Sequence, residues 1–324
     1  MANSSEDLRV ELHTFQTPDP KYTQPGAGLW VCAKRYTTPS SIRDTEGLTL
    51  LFTHCNGSHK EEWDLVISRL FALQKHKPES VRIREAWSFD RQNHGDAAVL
   101  NAHALVKRGD TVSLYEWAHA LRSFVDSPLL RGHHLVALGH SAGATAWMLT
   151  TFSPPPIPYT ALFLIEPTIT PQHIFERELA ERQSYMDLVV QLTLNRKSEW
   201  KTKDAAYAYF KKRIPWSMWD DRAVRMFVEH GLHDAPDVRR GLTLKWTKEQ
   251  EAASYPDTKP HHESAVQLAK ISKAVPVHLI WGERVEFMPE YLRDALSDQN
   301  EGMDVASVSY VEDAGHMVRG VFQS

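Results

Sequence analysis

The sequence has few cysteines, no long apolar run and no excess of positive charge. Its two cysteines, Cys32 and Cys55, cannot form the disulfide framework of a small secreted domain, so we expect a reducing compartment. No stretch of about 18 apolar residues occurs, and we therefore expect no membrane-spanning helix. The formal net charge of -4 at pH 7 does not favour binding to a nucleic-acid backbone. We expect no nucleic-acid partner and no membrane span.

Targeting and cofactor motifs are also missing from the sequence. The N-terminal stretch has no apolar segment of signal-peptide length, and the last three residues are not the peroxisomal signal Ser-Lys-Leu. A metalloprotease HExxH motif, a cysteine pair at metal-ligand spacing and a Walker phosphate loop do not occur. We expect a protein of the cytoplasm that works without a metal ion or an organic cofactor.

Strand and helix patterns alternate along most of the chain. Apolar stretches such as LTLLFT and HLVALGH predict buried strands, and the helical periodicity between Trp63 and Phe71 predicts a helix after the first of them. This alternation is typical of an α/β fold with a mostly parallel sheet and helices on both faces. Residues 168–261 differ, because they predict helices with little strand signal.

The chain is predicted to form a core in two parts and an inserted cap. The core comprises residues 1–167 and 262–324, and the helical cap, residues 168–261, follows the sixth strand. Ligands of open α/β sheets bind at the carboxyl ends of the strands, so a cap over this edge would cover a substrate. A second helical domain with only a packing role is the alternative.

The segment GHSAG, residues 139–143, separates a strand pattern from a helix pattern. Gly-x-Ser-x-Gly in this context is typical of a nucleophilic serine on a sharp strand-to-helix turn. Gly139 and Gly143 leave room for such a turn because they have no Cβ atom. We predict that Ser141 is a nucleophile, and a serine that only caps the helix is the alternative.

A serine hydroxyl needs a base and an oxyanion hole to react with a carbonyl group. His316 is the candidate base, because it follows a small-residue turn after the last predicted strand. The backbone N–H of Ala142, directly after the serine, would be one oxyanion donor. Asn56, on the loop after LTLLFT, is the candidate for the second donor, although an ordinary Asn-Gly turn would also explain it.

A series of motifs resembles the α/β-hydrolase superfamily. In chain order they are FTHCNGSHKEEWD, SFDRQNHGDAAVLN, GHSAG, LIEPTI and DAGHMV. They look most like a fungal branch that includes peroxisomal lipase-like proteins and toxin-biosynthesis hydrolases, and the resemblance spans roughly residues 45 to 317. It implies the α/β-hydrolase fold with a cap and a catalytic triad. It also implies a peroxisomal location as the alternative to the cytoplasm, although the targeting tripeptide is missing. The sequence ends eight residues after His316, so we expect the last helix of this fold to be short.

The resemblance leaves two positions for the acid of the triad. Many relatives carry it three residues after the glycine of the strand VPVHLIWGE, but that position is Val285 in this chain. The other position ends the strand after the elbow helix, where Glu166 follows ALFLI. A carboxylate at the end of an apolar strand is costly unless it is paired. We predict Glu166 as the acid, with Glu286 as the alternative.

The predicted function is that of a cofactor-free serine hydrolase. Ser141 would attack an ester, lactone or thioester and form an acyl-enzyme that water then hydrolyses. Trp216, Trp219 and Phe227 suggest a small apolar organic substrate, or else they form the core of the cap. A C–C bond hydrolase, a lyase or an acyltransferase of secondary metabolism would use the same serine and histidine. A non-catalytic ligand receptor is the further alternative.

Overall fold

Strands and helices alternate in the computed structural model, which describes residues 7–17, 28–74, 77–108 and 110–318. The strands are β1 (Arg9–Gln16), β2 (Trp30–Thr37), β3 (Leu48–Thr53), β4 (Ile83–Phe89), β5 (His134–His140), β6 (Tyr159–Ile165), β7 (Glu199–Trp200), β8 (Leu232–Asp234), β9 (Leu242–Leu244), β10 (Val277–Gly282) and β11 (Ser307–Val311). The α-helices are α1 (Asp64–Leu73), α2 (Gly95–Leu100), α3 (Ala102–Lys107), α4 (Leu114–Val125), α5 (Ala142–Leu149), α6 (Gln172–Arg177), α7 (Leu179–Asn195), α8 (Lys203–Phe210), α9 (Asp221–Gly231), α10 (Lys248–Ala252), α11 (Lys259–Ile271) and α12 (Glu290–Ala295). Within these described ranges, none of the helices is long and apolar enough to cross a membrane.

The main sheet has the strand order β1-β2-β4-β3-β5-β6-β10-β11. β2 is antiparallel to both of its neighbours, and the strands from β4 to β11 in this order are parallel. The prediction of a mostly parallel sheet is confirmed. Parallel order brings the carboxyl ends of β3, β5, β6 and β10 to one edge, where the loops that follow them meet.

Apolar cores cover both faces of this sheet. Along β3, Leu51 belongs to the core beneath α4 and α5, whereas Leu50 and Phe52 belong to the core beneath α1. Side chains of a strand alternate between its two faces, so a strand that is apolar at every position is buried on both sides. This explains why the central strands show no alternation of polar and apolar residues.

The segment between β6 and β10 contains helices and a small antiparallel sheet of order β7-β9-β8. The sequence did not indicate these strands, because segments of two or three residues are too short to show a period of two. Trp216, Trp219 and Phe227 pack against one another in the apolar core of this segment. α11 runs past residue 261, the predicted end of the cap.

A buried ion network joins the loops that follow β3 and β4. Lys60 Nζ, in a residue only 1% exposed, pairs with Glu61 at 2.8 Å and with Asp90 at 3.0 Å. It also pairs with Asp96, which in turn pairs with Lys245 of the inserted segment. Burial lowers the pKa of Lys60, but the surrounding carboxylates outweigh this effect and raise the pKa above its ordinary value. The network therefore ties both loops to each other and to the inserted segment.

We expect Lys60→Met to reduce the free energy of unfolding by about 3–5 kcal/mol, because it leaves the buried Asp90 carboxylate without its cation. Urea titration followed by circular dichroism measures this loss. Lys203→Met is the matched control, since Lys203 pairs with Glu229 on the surface at 2.7 Å, and we expect a change within about 0.5 kcal/mol. Equal losses in the two variants would contradict the role of the network.

Candidate active site

Ser141 lies on the turn between β5 and α5 with φ 56° and ψ -119°, a backbone conformation that is strained for a residue with a side chain. A Cβ atom on Gly139 would lie 2.5 Å from the backbone of Ala144, and one on Gly143 would lie 2.7 Å from the carbonyl oxygen of His54. Both glycines are therefore required by close backbone packing. The Ser141 side chain makes no capping hydrogen bond to α5, so helix capping does not explain this serine.

The structure brings Ser141, His316 and Glu166 together. His316 Nε2 lies 3.1 Å from Ser141 Oγ, and His316 Nδ1 lies 3.0 Å from Glu166 Oε2. With Nδ1–H donating to the carboxylate, Nε2 is left to accept the serine proton. This is the geometry of a serine-histidine-acid triad.

Glu166 directly follows β6, and its side chain is completely buried. Its Oε1 accepts hydrogen bonds from the Gly282 N–H at 2.7 Å and from Arg293 Nη2 at 3.1 Å. Arg293 is itself buried and also donates to the carbonyl oxygens of Gly282 and Met288. These contacts supply the pairing that a buried carboxylate needs, and they leave Oε2 for His316.

Glu286 contacts the backbone of the His316 loop rather than the imidazole ring. Its Oε2 accepts from the His316 N–H at 3.0 Å, and its Oε1 accepts from Arg284 Nε at 3.1 Å. A Cβ atom on Gly315 would lie 2.1 Å from this carboxyl group, so only glycine permits the approach. The geometry favours Glu166 as the partner of the ring and gives Glu286 a role in holding the loop.

Asn56 and Ala142, the two predicted oxyanion donors, border the same cavity as Ser141. Asn56 Oδ1 accepts from Arg91 Nη1 at 2.8 Å, and the Arg91 N–H donates to His54 Nε2 at 3.1 Å. Burial lowers the pKa of Arg91 to about 10, so it remains a cation at neutral pH. The side chain of Arg91 therefore fixes the loop that carries Asn56.

The cavity at Ser141 has a volume of about 70 Å³. Its apolar lining comes from Ala142, Phe175, Met186, Val189, Phe287 and Met288. Its polar lining comes from Asn56, Ser141, Thr168, Thr170, Arg182, Ser254, Tyr255, Thr258, His261 and His262. Most of these residues belong to the segment between β6 and β10. Trp216, Trp219 and Phe227 do not border the cavity, so they provide packing rather than a substrate surface.

Three buried arginines of this region were not identified from the sequence. They are Arg91, Arg182 and Arg293. Leu292 and Ala295, which neighbour Arg293 in α12, are also buried. A cation on the apolar face of a predicted helix could therefore have indicated from the sequence that Arg293 is buried. The described residues contain no group of three or more His, Cys, Asp or Glu side chains that could hold a metal ion.

Comparison with known proteins identifies the family to which this chain belongs. A model of the alpha/beta hydrolase family matches residues 50–322. The chain therefore belongs to the α/β-hydrolase family, and the predicted fold class is confirmed. No curated protein sequence matches the chain significantly.

Solved structures share this fold over almost the whole chain. The peroxisomal alpha-beta-hydrolase Lpx1 of Saccharomyces cerevisiae is 16% identical with a TM-score of 0.74, over 97% of this chain and 84% of that one. E-2-(acetamidomethylene)succinate hydrolase is 16% identical with a TM-score of 0.68, over 96% and 94%. An esterase of M. tuberculosis is 17% identical with a TM-score of 0.60, over 96% and 87%. At these identities the similarity shows a shared fold.

We expect a fluorophosphonate probe to label the folded protein at Ser141, because His316 can accept the serine proton. Labelling should disappear in Ser141→Ala, and its rate should fall at least about 100-fold in His316→Ala. Mass spectrometry of proteolytic peptides locates the adduct. Ser254→Ala, which changes another serine of the cavity, should be labelled like the unmodified protein. Labelling at Ser254 instead of Ser141 would refute the assignment.

Proposed function

We propose that this protein is a serine hydrolase that cleaves an ester, lactone or thioester of a small organic substrate through an acyl-enzyme. The observation that carries the proposal is the contact of Ser141 Oγ with His316 Nε2, whose ring is held on its other side by the buried Glu166. Membership of a hydrolase family supports the same chemistry. Two proteins whose solved structures share this fold, one named a hydrolase and one an esterase, also support it.

The acylation step follows from these contacts. His316 Nε2 accepts the proton of Ser141 as Oγ attacks the substrate carbonyl, and Glu166 stabilises the resulting imidazolium. Backbone or side-chain N–H groups of Ala142 and Asn56 would donate to the oxyanion. The imidazolium then protonates the leaving alcohol or thiol, which departs and leaves an acyl-serine.

Deacylation uses the same groups in reverse. His316 Nε2 accepts a proton from water, the hydroxide attacks the acyl-serine, and the proton returns to Ser141 Oγ as the acid product leaves. Glu166 can keep one orientation through both steps, because Arg293 and the Gly282 N–H hold its other oxygen. A fixed acid keeps the imidazole in the tautomer that both half-reactions require.

The cavity indicates which part of the substrate lies beside Ser141. Its volume of about 70 Å³ is smaller than the ~150 Å³ cavity that accepts benzene in an engineered protein. The group beside the serine is therefore small in this conformation, and the apolar lining favours hydrocarbon over water. Thr168, Phe175 and Tyr255 are among the residues that border the cavity, which supports the predicted role of residues 168–261 as a cap over the substrate.

We expect Glu166→Gln to reduce kcat/KM for para-nitrophenyl acetate on the order of 10⁴-fold, the loss in turnover that the protease chymotrypsin shows when an amide replaces its triad acid. An amide in place of the carboxylate cannot stabilise the imidazolium. Glu286→Gln should reduce kcat/KM less than about 10-fold, since Glu286 contacts only the loop backbone at His316. Circular dichroism checks that both variants are folded. The reverse order of the two losses would move the acid role to Glu286.

A further inference from the structure

Arg182 is a buried cation that borders the cavity of Ser141. It lies on α7, is only 6% exposed, and contributes to the lining together with Met186 and Val189 of the same helix. Removing a charged group from water is strongly unfavourable unless an opposite charge or a set of hydrogen bonds compensates it. The contacts of the Arg182 guanidinium therefore indicate what the cavity is built to hold.

The described residues supply no carboxylate to Arg182. Its guanidinium lies 5.5 Å from the centroid of the Tyr185 ring and contacts the Tyr291 hydroxyl. No ion pair among the described residues includes it, and the nearby acids have other partners. Glu181 accepts from the Tyr291 hydroxyl at 3.1 Å, and Glu286 is held by Arg284 and by the His316 loop.

Three other arginines of the described chain that lie largely out of water have partners in the protein. Arg196, whose side chain is 10% exposed, pairs with Glu251, and the buried Arg293 pairs with Glu166. The buried Arg91 donates to Asn56 Oδ1 and to the Val112 carbonyl oxygen. Arg182 differs from these three, because its charge borders the space in which a substrate would lie. A bound anion would provide the missing partner.

We propose that Arg182 binds a carboxylate group of the substrate, so that the ester or thioester cleaved at Ser141 carries a negative charge near its scissile carbonyl. This inference rests on the proposed function. A guanidinium presents two parallel N–H groups that match the two oxygens of a carboxylate. The substrate class is a half-ester of a dicarboxylic acid, or an ester of a hydroxy acid, with an apolar portion against Met186 and Val189.

The other groups of the lining favour a single negative charge. Arg182 is the one arginine or lysine among the described residues that border the cavity. His261 cannot add a second positive charge at neutral pH, because burial lowers its pKa to about 3. Its Nδ1 is 2.9 Å from Thr145 Oγ1. One cation matches a monoanionic carboxylate better than a doubly charged phosphate.

Two matched pairs of esters test the proposal on the full chain. The first pair, mono-para-nitrophenyl succinate and para-nitrophenyl isocaproate, places either a carboxylate or an isopropyl group on the acyl side. The second pair, para-acetoxybenzoate and phenyl acetate, places the carboxylate on the leaving alcohol or omits it. The readout is the ratio of kcat/KM between the charged and the neutral ester, which cancels any general loss of active enzyme.

We expect the unmodified enzyme to prefer the charged ester at least about 10-fold in one of the two pairs. The pair that shows the preference identifies the side of the substrate that carries the carboxylate. Arg182→Met should reduce this ratio to about 1 or below, and Arg182→Lys should retain part of it. Arg177→Met is the matched control, because Arg177 is exposed and pairs with Glu178, and the ratio should remain that of the unmodified enzyme.

The absence of a preference in the unmodified enzyme, or a preference that survives Arg182→Met, would overturn the proposal. The first of these outcomes needs no variant, so the test does not depend on the folding of Arg182→Met. Hydrolysis of neutral esters without any preference would refute the carboxylate site and leave the proposed function intact. Failure of both fluorophosphonate labelling and neutral ester hydrolysis would refute the proposed function itself.

Discussion

The buried carboxylate of Glu166 is the constraint on which the rest of the site depends. It directly follows β6 and is completely buried, and its charge is compensated by Arg293, by the Gly282 N–H and by His316 Nδ1. These partners are available because β6 and β10 are adjacent parallel strands whose carboxyl ends lie side by side. The strand order therefore places a cation, a backbone donor and the imidazole around one carboxylate.

The carboxyl end of β10 also determines where His316 lies. A Cβ atom on Gly282 would be 2.4 Å from the carbonyl oxygen of Gly315, so the loop after β11 packs directly against the end of β10. His140 Nε2 lies 2.8 Å from the His316 carbonyl oxygen and holds the loop from the serine side. Gly315 and His316 are thus held from two sides, and this keeps the imidazole between serine and carboxylate.

In the segment between β6 and β10, the residues that form an apolar core differ from the residues that border the cavity. The amino-acid composition of the segment does not show this difference. Trp216, Trp219 and Phe227 pack in a core of this segment, whereas Phe175, Arg182 and Tyr255 border the cavity. The ion pair of Asp96 with Lys245 attaches this segment to the first turn of α2. This apolar core therefore lies apart from the residues that border the cavity.

The sequence by itself determined the features that depend on neighbouring residues. The alternation of strand and helix patterns predicted the parallel sheet, and the glycines of GHSAG predicted the turn at Ser141, because both follow from local backbone geometry. The sequence favoured Glu166 over Glu286 as the acid but left both open, since both follow core strands. Only the tertiary structure shows that Glu166 contacts the His316 ring and Glu286 the loop backbone, because packing decides this. It alone also showed that Arg182 borders the cavity, because the surroundings of a buried charge come from residues distant in the chain.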